Sequence, residues 1–387
     1  KRQLTYTNEK THEIIRENIM RAPKYAGKIH GIGARYCPSI EDKVVRFADK
    51  DRHQLFVEPE GLDTTEMYVQ GMSTSMPIDV QYAFLRTIPG FEDVKMMRPA
   101  YAIEYDLLDP LQLYPTLEVI KLPGLYSAGQ SNGTSGYEEA AAQGLVAGIN
   151  AALKIQGKDP FILARHEAYI GSLVDDLVTK GADEPYRMMT SRSEYRLILR
   201  QDNADLRLTE KGHSIGLVGE ERYARFLERK KKYEEAMDYI RTQRFTPKEE
   251  INRALESMGT APLTTGTGAD QILKRPEMTY RKMMETLGCP SFDEEAVEEM
   301  EITVKYEGYI ARQEAAVRKA ARMENEKLPL DMDYLSLDGI STEARQKMDK
   351  IRPLSLGQAA RIPGVSPADI SVLMVYVKQR KGKKSAE

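Results

Sequence analysis

The feature that most constrains the fold is a glycine-rich turn, Gly129–Gly136, which joins a strand-like segment to a helix. The segment before it, Gly124–Ala128, reads as a short strand, and apolar residues recur at helical spacing from about Tyr137 to Leu153. Small residues form a stripe along this helix at Ala140, Gly144 and Gly148. Such a stripe lets a helix lie close to a strand or a cofactor, and a helix N-terminus attracts an anion such as a reduced flavin. The segment therefore indicates an α/β fold, in which the turn either borders a flavin or is an ordinary strand-to-helix connection.

The pattern of apolar residues changes along the chain. Residues 1 to about 160 read as mixed α/β, with a second strand-like segment at Leu117–Leu122. From about residue 216 the pattern is helical, beginning with an amphipathic stretch at Glu220–Arg244. We therefore predict an α/β domain of partial Rossmann-like type, followed by a mostly α-helical C-terminal region. The predicted borders are 1–160, 161–300 and 301–387.

Local signals near the C-terminus support helices. Met300–Tyr306 alternates and is compatible with a strand, but the longer helical context through Met323 favours a helix. Ser355–Gln358 fits a capping box, and Ser366–Asp369 places Ser, Pro and Asp at the cap, first and third positions of a helix. The last block is thus predicted to be a run of short helices.

Composition limits the classes of function. With 41% hydrophobic residues the chain can form a real core, and its net charge of −3 gives no overall basic field, so a nucleic acid would have to be held by local patches. The two cysteines, Cys37 and Cys289, form no CxxC pair, which argues against a disulfide framework or a structural zinc site. No apolar run approaches the roughly 20 residues of a membrane span, so we expect no membrane association and a reducing, cytoplasmic location.

One of these cysteines has basic neighbours in sequence. Cys37 lies between Arg35 and Pro38, with Lys43 six residues further on. Nearby cations lower a thiol's pKa, and a thiol acts as a nucleophile or proton donor when its pKa is near the working pH. Cys37 is therefore either a reactive thiol or, as in many chains with an isolated cysteine, a buried structural one.

Four arginines fall within fourteen residues, Arg187, Arg192, Arg196 and Arg200, against the single acid Glu194. Ser191–Glu194 fits a capping box, so a helix starting here would put the last three arginines on one face. If Tyr195–Leu199 is instead a strand, Arg196 and Arg200 still share a side. The arginines form either an RNA-binding patch or a solvated surface with carboxylate partners.

The glycine fingerprint of dinucleotide-binding folds is absent. Gly31-Ile-Gly33 begins like GxGxxG, but Tyr36 replaces the third glycine. A flavin would therefore need a second nucleotide-binding segment that this sequence does not contain.

Taken together, the motifs resemble the tRNA uridine 5-carboxymethylaminomethyl modification enzymes of the MnmG/GidA family. The resemblance covers nearly the whole chain. The segments that carry it are Thr7–His12, Tyr36–Lys43, Gln70–Pro77, Met97–Ala102, Gly129–Gly144, Glu184–Arg187, Thr190–Arg196, Lys305–Ile310 and Ile351–Ala368. Members of that family begin with a segment that bears the FAD fingerprint. The resemblance therefore predicts that this chain is the back part of an FAD-binding domain plus the complete C-terminal region.

The resemblance also implies roles for individual residues. Cys37 matches the essential cysteine, Arg35 and Lys43 match basic residues near it, and Glu13 matches an acidic position of the same site. The family associates one stretch of the chain with NAD binding. In this sequence its residues are Gly33, Ala34, Arg35, Tyr36, Cys37, Pro38, Ser39, Ile40, Glu41, Asp42, Lys43 and Phe47. Gln130, flanked by Gly129 and Gly136, matches a flavin contact. The tRNA-binding positions are Arg187, Arg192, Arg196 and Arg200, and no metal site is implied.

The implied activity is FAD-dependent installation of an aminomethyl-type group at C5 of the tRNA wobble uridine. It would use NADH and methylenetetrahydrofolate, and a tRNA modification GTPase as partner, in a heterotetramer built on a homodimer. Residues 161–300 would contact tRNA and 301–387 the GTPase. Two alternatives remain: a non-catalytic module that binds tRNA and the GTPase, or a folate- and flavin-dependent tRNA uracil methyltransferase, a family that lacks the long helical C-terminus.

Overall fold

The computed structural model describes residues 3–29, 38–102 and 104–384. The chain divides into two compact units. The first contains the described residues up to Pro160 together with Gly181–Arg187, and the second contains Phe161–Lys180 and the described residues from Met188 onward. Each unit is considered by itself below.

The first unit contains a three-stranded antiparallel sheet. Its strands are β1 Gln3–Tyr6, β2 Gln54–Pro59 and β3 Met67–Gln70, in the order β1-β2-β3. In this register Tyr6 lies opposite Gln54, and Phe56 lies opposite Gln70. Leu55 and Val57 alternate into the interior, as expected for a sheet with one covered face.

Four helices accompany this sheet in the described part of the unit. They are α1 Glu9–Glu17, α2 Ile40–Arg46, α3 Ile78–Leu85 and α4 Tyr137–Ile155. Asn8 begins α1 with a capping box shared with Thr11, and the Ser39 side chain caps α2 by accepting from the Asp42 N–H. The first three helices pack on the sheet through an apolar core that includes Ile15, Ile40, Leu55 and Phe84.

The segment before α4 differs from the sequence prediction. Leu117–Leu122 and Gly124–Ala128 were predicted as strands, which is wrong, because they form only isolated bridges, Leu113 with Val119 and Glu118 with Tyr126. The chain turns too often here for a ladder to extend, and Leu117 itself has φ +66°. Helix α4 was predicted to end at Leu153, and it is confirmed with two more residues.

The second unit is almost entirely helical where it is described. Its helices are α5 Tyr169–Lys180, α6 Ala204–Ser214, α7 Glu220–Thr242, α8 Glu249–Ser257, α9 Ala269–Leu273, α10 Tyr280–Leu287, α11 Glu294–Asn325, α12 Thr342–Ile351, α13 Leu356–Arg361 and α14 Pro367–Lys384. Two short strands, β4 Arg244–Phe245 and β5 Thr267–Gly268, pair antiparallel. The predicted amphipathic helix is confirmed as α7, and Met300–Tyr306 is confirmed as part of a helix.

Two apolar clusters hold this unit together. The first joins α7–α11 and includes Ile240, Leu255, Tyr280 and Met300. The second is built from α12–α14 and the loops around them, with Met323 of α11 packed against it. One 32-residue helix, α11, therefore contributes to both clusters and crosses residue 300 without a break.

The predicted caps near the C-terminus are present. Ser366 and Asp369 form a reciprocal capping box, because the Asp369 N–H donates to Ser366 Oγ (3.2 Å) and the Ser366 N–H donates to Asp369 Oδ2 (2.8 Å). Ser355 Oγ caps the Gln358 N–H (3.1 Å), while the Gln358 side chain accepts from Leu354 instead of closing the box. The predicted fold class, an α/β domain followed by a mostly helical region, is confirmed. Within the described residues no helix is both long and apolar enough to cross a membrane.

Candidate functional site

The structure describes only part of the cysteine-containing segment. Gly33, Ala34, Arg35, Tyr36 and Cys37 lie outside the described residues, so the roles predicted for them stay predictions. The remaining predicted positions in this stretch, Pro38 to Lys43 and Phe47, lead into α2 or lie on it or at its end.

The three residues that open α2 face inward. Ile40 is fully buried in the apolar core. Glu41 accepts from the backbone N–H and the hydroxyl of Ser75 at 2.9 and 2.8 Å. Asp42 accepts from Lys24 Nζ (2.9 Å) and from Tyr25 Oη (3.0 Å). Burial raises the pKa of Asp42, but these two hydrogen bonds outweigh it and hold the pKa below its ordinary value. These carboxylates therefore fix α2 in place.

The other predicted residues of this stretch are more accessible. Lys43 is half-buried and its Nζ donates to the Gly71 carbonyl at 3.2 Å. Phe47, which ends α2, is 49% exposed. Glu13 is exposed on α1, and α1 packs beside α2. Glu13 and Phe47 are thus exposed and Lys43 is partly accessible, on two helices that pack against each other.

The same region contains a histidine pair that the sequence analysis missed. The rings of His12 and His53 are 5.1 Å apart, and Thr7 Oγ1 lies 2.7 Å from His12 Nε2. Burial lowers the pKa of both imidazoles, and the nearby Lys43 charge further lowers that of His53. Both rings are therefore neutral at pH 7. The only sequence signal was His12 at the end of the Thr7–His12 motif, because nothing local links it to His53.

The glycine-rich turn is held by a buried amide network. The chain forms a 3-10 turn at Gly129–Asn132. Asn132 Nδ2 donates to Gln143 Oε1 (2.8 Å), and Gln143 Nε2 donates to Thr134 Oγ1 (3.0 Å). Thr134 Oγ1 in turn donates to the Gly129 carbonyl at 3.0 Å. Since buried and fully paired polar groups rigidify their surroundings, this turn has one defined conformation.

The turn leaves an accessible surface next to the start of α4. Gly129 has φ +85°, and Gln130 beside it is exposed. Helix α4 begins after Gly136 with no side-chain cap, and its first turn carries the carboxylates of Glu138 and Glu139. A side chain at Gly136 would meet the ends of the Glu139 and Arg187 side chains, which would have to move to accommodate it. Gly129 and Gln130 thus lie in the 3-10 turn and Gly136 directly precedes α4, and their predicted role in binding a flavin stays a prediction.

Arg187 belongs to this turn and not to the arginine-rich segment that follows. Its Nη1 donates to the Ser135 carbonyl at 3.2 Å, and its Nε lies 3.9 Å from Glu139 Oε1. It is a residue of the first unit, whereas Arg192, Arg196 and Arg200 belong to the second. Arg187 therefore lies beside the N-terminus of α4, where its charge offsets that of Glu139 in the first turn.

Residues 190–200, called the arginine loop from here on, are neither the helix nor the strand that the sequence allowed. A 3-10 helix at Thr190–Arg192 is followed by turns. The predicted capping box fails because the Glu194 carboxylate binds Arg165 instead, through Nε to Oε1 (2.9 Å) and Nη2 to Oε2 (2.9 Å). Gln313 of α11 also donates to the Glu194 carbonyl at 3.1 Å. A distant arginine thus fixes the loop, which no local pattern could predict.

The arginines of this loop differ in their surroundings. Arg196 is exposed and makes no hydrogen bond or ion pair with the described residues. Arg200 is only 16% exposed, donates from Nη2 to Glu299 Oε1 (2.6 Å), and pairs with Asp202 (2.9 Å). Arg192 is half-buried. Arg200 therefore has the carboxylate partners that we expected if the arginines form a solvated surface. Arg196, in contrast, is accessible to a ligand.

Glu299 shares its site with a second carboxyl group. It is 3% exposed on α11. Burial and the neighbouring Asp202 raise its pKa to about 8, although the Arg200 charge acts in the opposite direction. One of the two carboxyls therefore holds a proton at neutral pH, which lets them lie together beside Arg200.

Arg165 is the centre of a buried ionic network behind the loop. It is 8% exposed and binds Asp175, Asp176 and Glu194. Arg361 of α13 binds Asp175 (2.7 Å) from the other side, and also contacts Glu324. The network therefore ties the arginine loop to α5, α11 and α13.

The second cysteine has a structural environment. Cys289 is 7% exposed in the first apolar cluster, and burial raises the pKa of its thiol. Among the described residues there is no group of three or more His, Cys, Asp or Glu side chains that could hold a metal.

Family models match three consecutive parts of the chain. Residues 1–159 match "Glucose inhibited division protein A". Residues 220–314 match the "tRNA modifying enzyme MnmG/GidA C-terminal helical domain", and residues 316–387 match the C-terminal helical bundle of the same enzymes.

Curated proteins and solved structures agree with these matches. A tRNA uridine 5-carboxymethylaminomethyl modification enzyme MnmG from Caldicellulosiruptor saccharolyticus is 57% identical over 379 residues, which are 98% of this chain and 60% of that protein. The enzyme of the same name from Enterococcus faecalis is 57% identical over 380 residues, again 98% and 60%. A crystal structure of Aquifex aeolicus GidA superposes with a TM-score of 0.80 at 46% identity, covering 97% of this chain and 58% of that one. The chain therefore spans about 60% of the length of the curated relatives it matches.

Proposed function

Because this chain belongs to the MnmG/GidA family of tRNA-modifying enzymes, we propose that it takes part in modifying C5 of the wobble uridine of tRNA. The product class is the 5-carboxymethylaminomethyl group named for its relatives. The main observation behind this proposal is the glycine-rich turn, which a buried hydrogen-bond network fixes, with the exposed Gln130 beside the uncapped N-terminus of α4. This surface lies in the part of the chain that the first family model matches.

The residues at this surface fit a flavin. The exposed amide of Gln130 has one donor group and one acceptor, as does the edge of a flavin's pyrimidine ring. In this proposal the N–H groups that open α4 face the ring, and Arg187 offsets the charge of Glu139 in the first turn. FAD, when bound, supplies two-electron redox chemistry, with NADH as the reductant and methylenetetrahydrofolate as the one-carbon donor. The protein's own part is to orient the ring and to keep its turn rigid.

The residues predicted from the sequence, Cys37, Arg35, Lys43 and Glu13, supply the remaining chemistry in this proposal. Uracil C5 is a poor nucleophile until C6 is attacked or the ring is otherwise activated. A Cys37 thiolate is suited to that attack, or the thiol to proton transfer, with Arg35 and Lys43 favouring the thiolate and Glu13 handling a proton. The target base must leave the anticodon loop stack to reach such a site.

The partners follow from the family. We propose that Arg196 and the arginine loop bind the tRNA backbone, since forked guanidinium donors suit phosphates. A tRNA modification GTPase would bind the C-terminal helices, within a heterotetramer built on a homodimer in the cytoplasm. The methyltransferase alternative is not favoured, because residues 220–387 match helical domains of the MnmG/GidA enzymes.

The two cysteines provide a matched test. In the protein that carries this chain, we expect Cys37→Ser to abolish wobble-uridine modification, measured by mass spectrometry of tRNA nucleosides from cells that lack their own enzyme. Cys289→Ser should retain it, because that thiol is buried among apolar residues. Full modification with Cys37→Ser would remove Cys37 from the mechanism.

A further inference from the structure

Two tyrosines and an arginine are exposed together on one face of α11. Tyr306 is 47% exposed and Tyr309 55% exposed. Their ring centroids are 6.3 Å apart with the planes tilted by 51°. The Arg312 guanidinium lies 5.0 Å from the Tyr309 ring centroid, and its Nε donates to the Gly308 carbonyl at 3.2 Å. We call Tyr306, Tyr309 and Arg312 the tyrosine platform.

The two tyrosines are not part of the apolar clusters against which α11 packs. The residues of α11 that face the first apolar cluster are Met300 (0% exposed) and Val304 (3% exposed). Tyr306 and Tyr309 come after these and belong to neither apolar cluster. Two large, adjoining, half-exposed aromatic rings on successive turns are a common feature of binding surfaces.

The platform is continuous with the arginine loop. Tyr306, Tyr309 and Gln313 share one face of α11, because their spacing is i, i+3 and i+7. Gln313 Nε2 donates to the Glu194 carbonyl at 3.1 Å. Glu194 lies two residues before the exposed Arg196. The helix that carries the platform and the arginine loop are therefore in direct contact within the second unit, and each bears an exposed arginine, Arg312 and Arg196.

We propose that the tyrosine platform stacks unpaired bases of RNA while Arg196 holds the adjoining phosphates. Unpaired RNA is bound by aromatic rings that stack on base faces, together with cations along the backbone, and this surface has both. Tyrosines and arginines also occur together at protein interfaces, and the platform lies in the region 301–387 expected to contact the GTPase, so the GTPase is the competing occupant that the test must separate from RNA. The assignment of the RNA as tRNA rests on the proposed function, with the anticodon loop as the unpaired segment.

The test separates stacking from charge. Binding of a fluorescent tRNA anticodon stem-loop, and of a fully paired RNA duplex, is measured by anisotropy over a series of salt concentrations, using the full chain. We expect Tyr306→Ala and Tyr309→Ala each to weaken stem-loop binding roughly tenfold, with the salt slope and duplex binding unchanged. Tyr306→Phe and Tyr309→Phe should bind like the wild type, because a phenyl ring still stacks. Arg196→Ala should instead reduce the salt slope by about one.

Each outcome decides the proposal. Leu330→Ala, at an 81% exposed position in the second cluster's region, should bind like the wild type and controls for loss of surface area.

If the tyrosine variants bind the stem-loop normally while Arg196→Ala does not, the platform is wrong and the proposed function stands. If the tyrosine variants bind RNA normally and instead lose the GTPase, the surface is a protein interface and the proposal is overturned. If the wild type binds no RNA, both this inference and the proposed function fail.

Discussion

Arg196 and Arg200 are four residues apart in one motif, yet their surroundings are opposite. Arg200 is fixed by Glu299 and Asp202, whereas Arg196 is exposed. Sequence spacing could identify both as members of an arginine-rich segment. It could not separate them, because Glu299 lies 99 residues away along the chain. The chemistry of an arginine is therefore decided here by the carboxylates that the fold brings to it.

Glu299 gives the second unit a specific pH dependence. Its pKa is raised from 4.5 to about 8, so the folded chain holds a proton that the unfolded chain releases above pH 4.5. Stability from this group is complete below the unfolded pKa and is lost as pH rises through the folded pKa. Glu299→Gln should therefore flatten the fall in unfolding free energy between pH 5 and 8.5, measured by urea denaturation.

A neighbouring residue is the control for this prediction. Glu298→Gln changes an exposed carboxyl on the same helix and should leave the pH profile as in the wild type. The Arg200, Asp202 and Thr303 side chains that face Glu299 are unchanged in both variants. A Glu299→Gln profile that still falls as steeply as the wild type would show that Glu299 is ionised in the folded chain at neutral pH.

At the scale of elements, prediction succeeded where the signal was local. The amphipathic period of the apolar residues predicted α7, and the helical spacing after the glycine-rich turn predicted α4. The Ser366–Asp369 spacing predicted a helix cap that the structure forms. Prediction failed at Ser191–Glu194, because a capping box competes with a tertiary partner and Arg165 takes the Glu194 carboxylate. The same limit applies to the site. The Gly129–Gly136 turn could be predicted from its local sequence, whereas the His12–His53 pair could not, because the two residues are distant in sequence.

The arginine loop depends on the network behind it. Arg165→Met removes a buried guanidinium but leaves Asp175, Asp176 and Glu194 without that partner. Breaking one side of a buried ion pair costs about 3–5 kcal/mol, so we expect a loss of this size in the unfolding free energy, measured by urea denaturation. Arg225→Ala, in an exposed i,i+4 pair with Glu221, should cost less than about 1 kcal/mol. Equal small losses for both variants would contradict the role given to the network.

At the scale of the whole molecule, the two units have different expected ligands. The proposed flavin surface lies wholly in the first unit, around Gly129–Gly136 and the start of α4, and the arginine loop lies in the second. The sequence predicted that the C-terminal region is mostly helical, from the helical spacing of its apolar residues and its charged faces. The arrangement of its helices could not be predicted, because each amphipathic helix has several possible partners.

Hydrogen exchange can test this assignment. In the protein that carries this chain, FAD should slow amide exchange at Gly129–Gly136 and the first turns of α4, because a ligand that binds only the folded state stabilises what it contacts. Exchange in α12–α14 should not change. ADP, which lacks the isoalloxazine ring, is the control and should not protect the turn. If FAD gives no protection at the turn, the non-catalytic binding module becomes the better description.

Helix α11 has a mechanical consequence. At 1.5 Å per residue its 32 residues extend about 48 Å, and Met300 near one end and Met323 near the other are packed into separate apolar clusters. The border between the two C-terminal family matches, residues 314–316, falls within this unbroken rod. The two clusters therefore cannot swing about a flexible tether, and the stiffness of one backbone sets how far apart their outer surfaces stand.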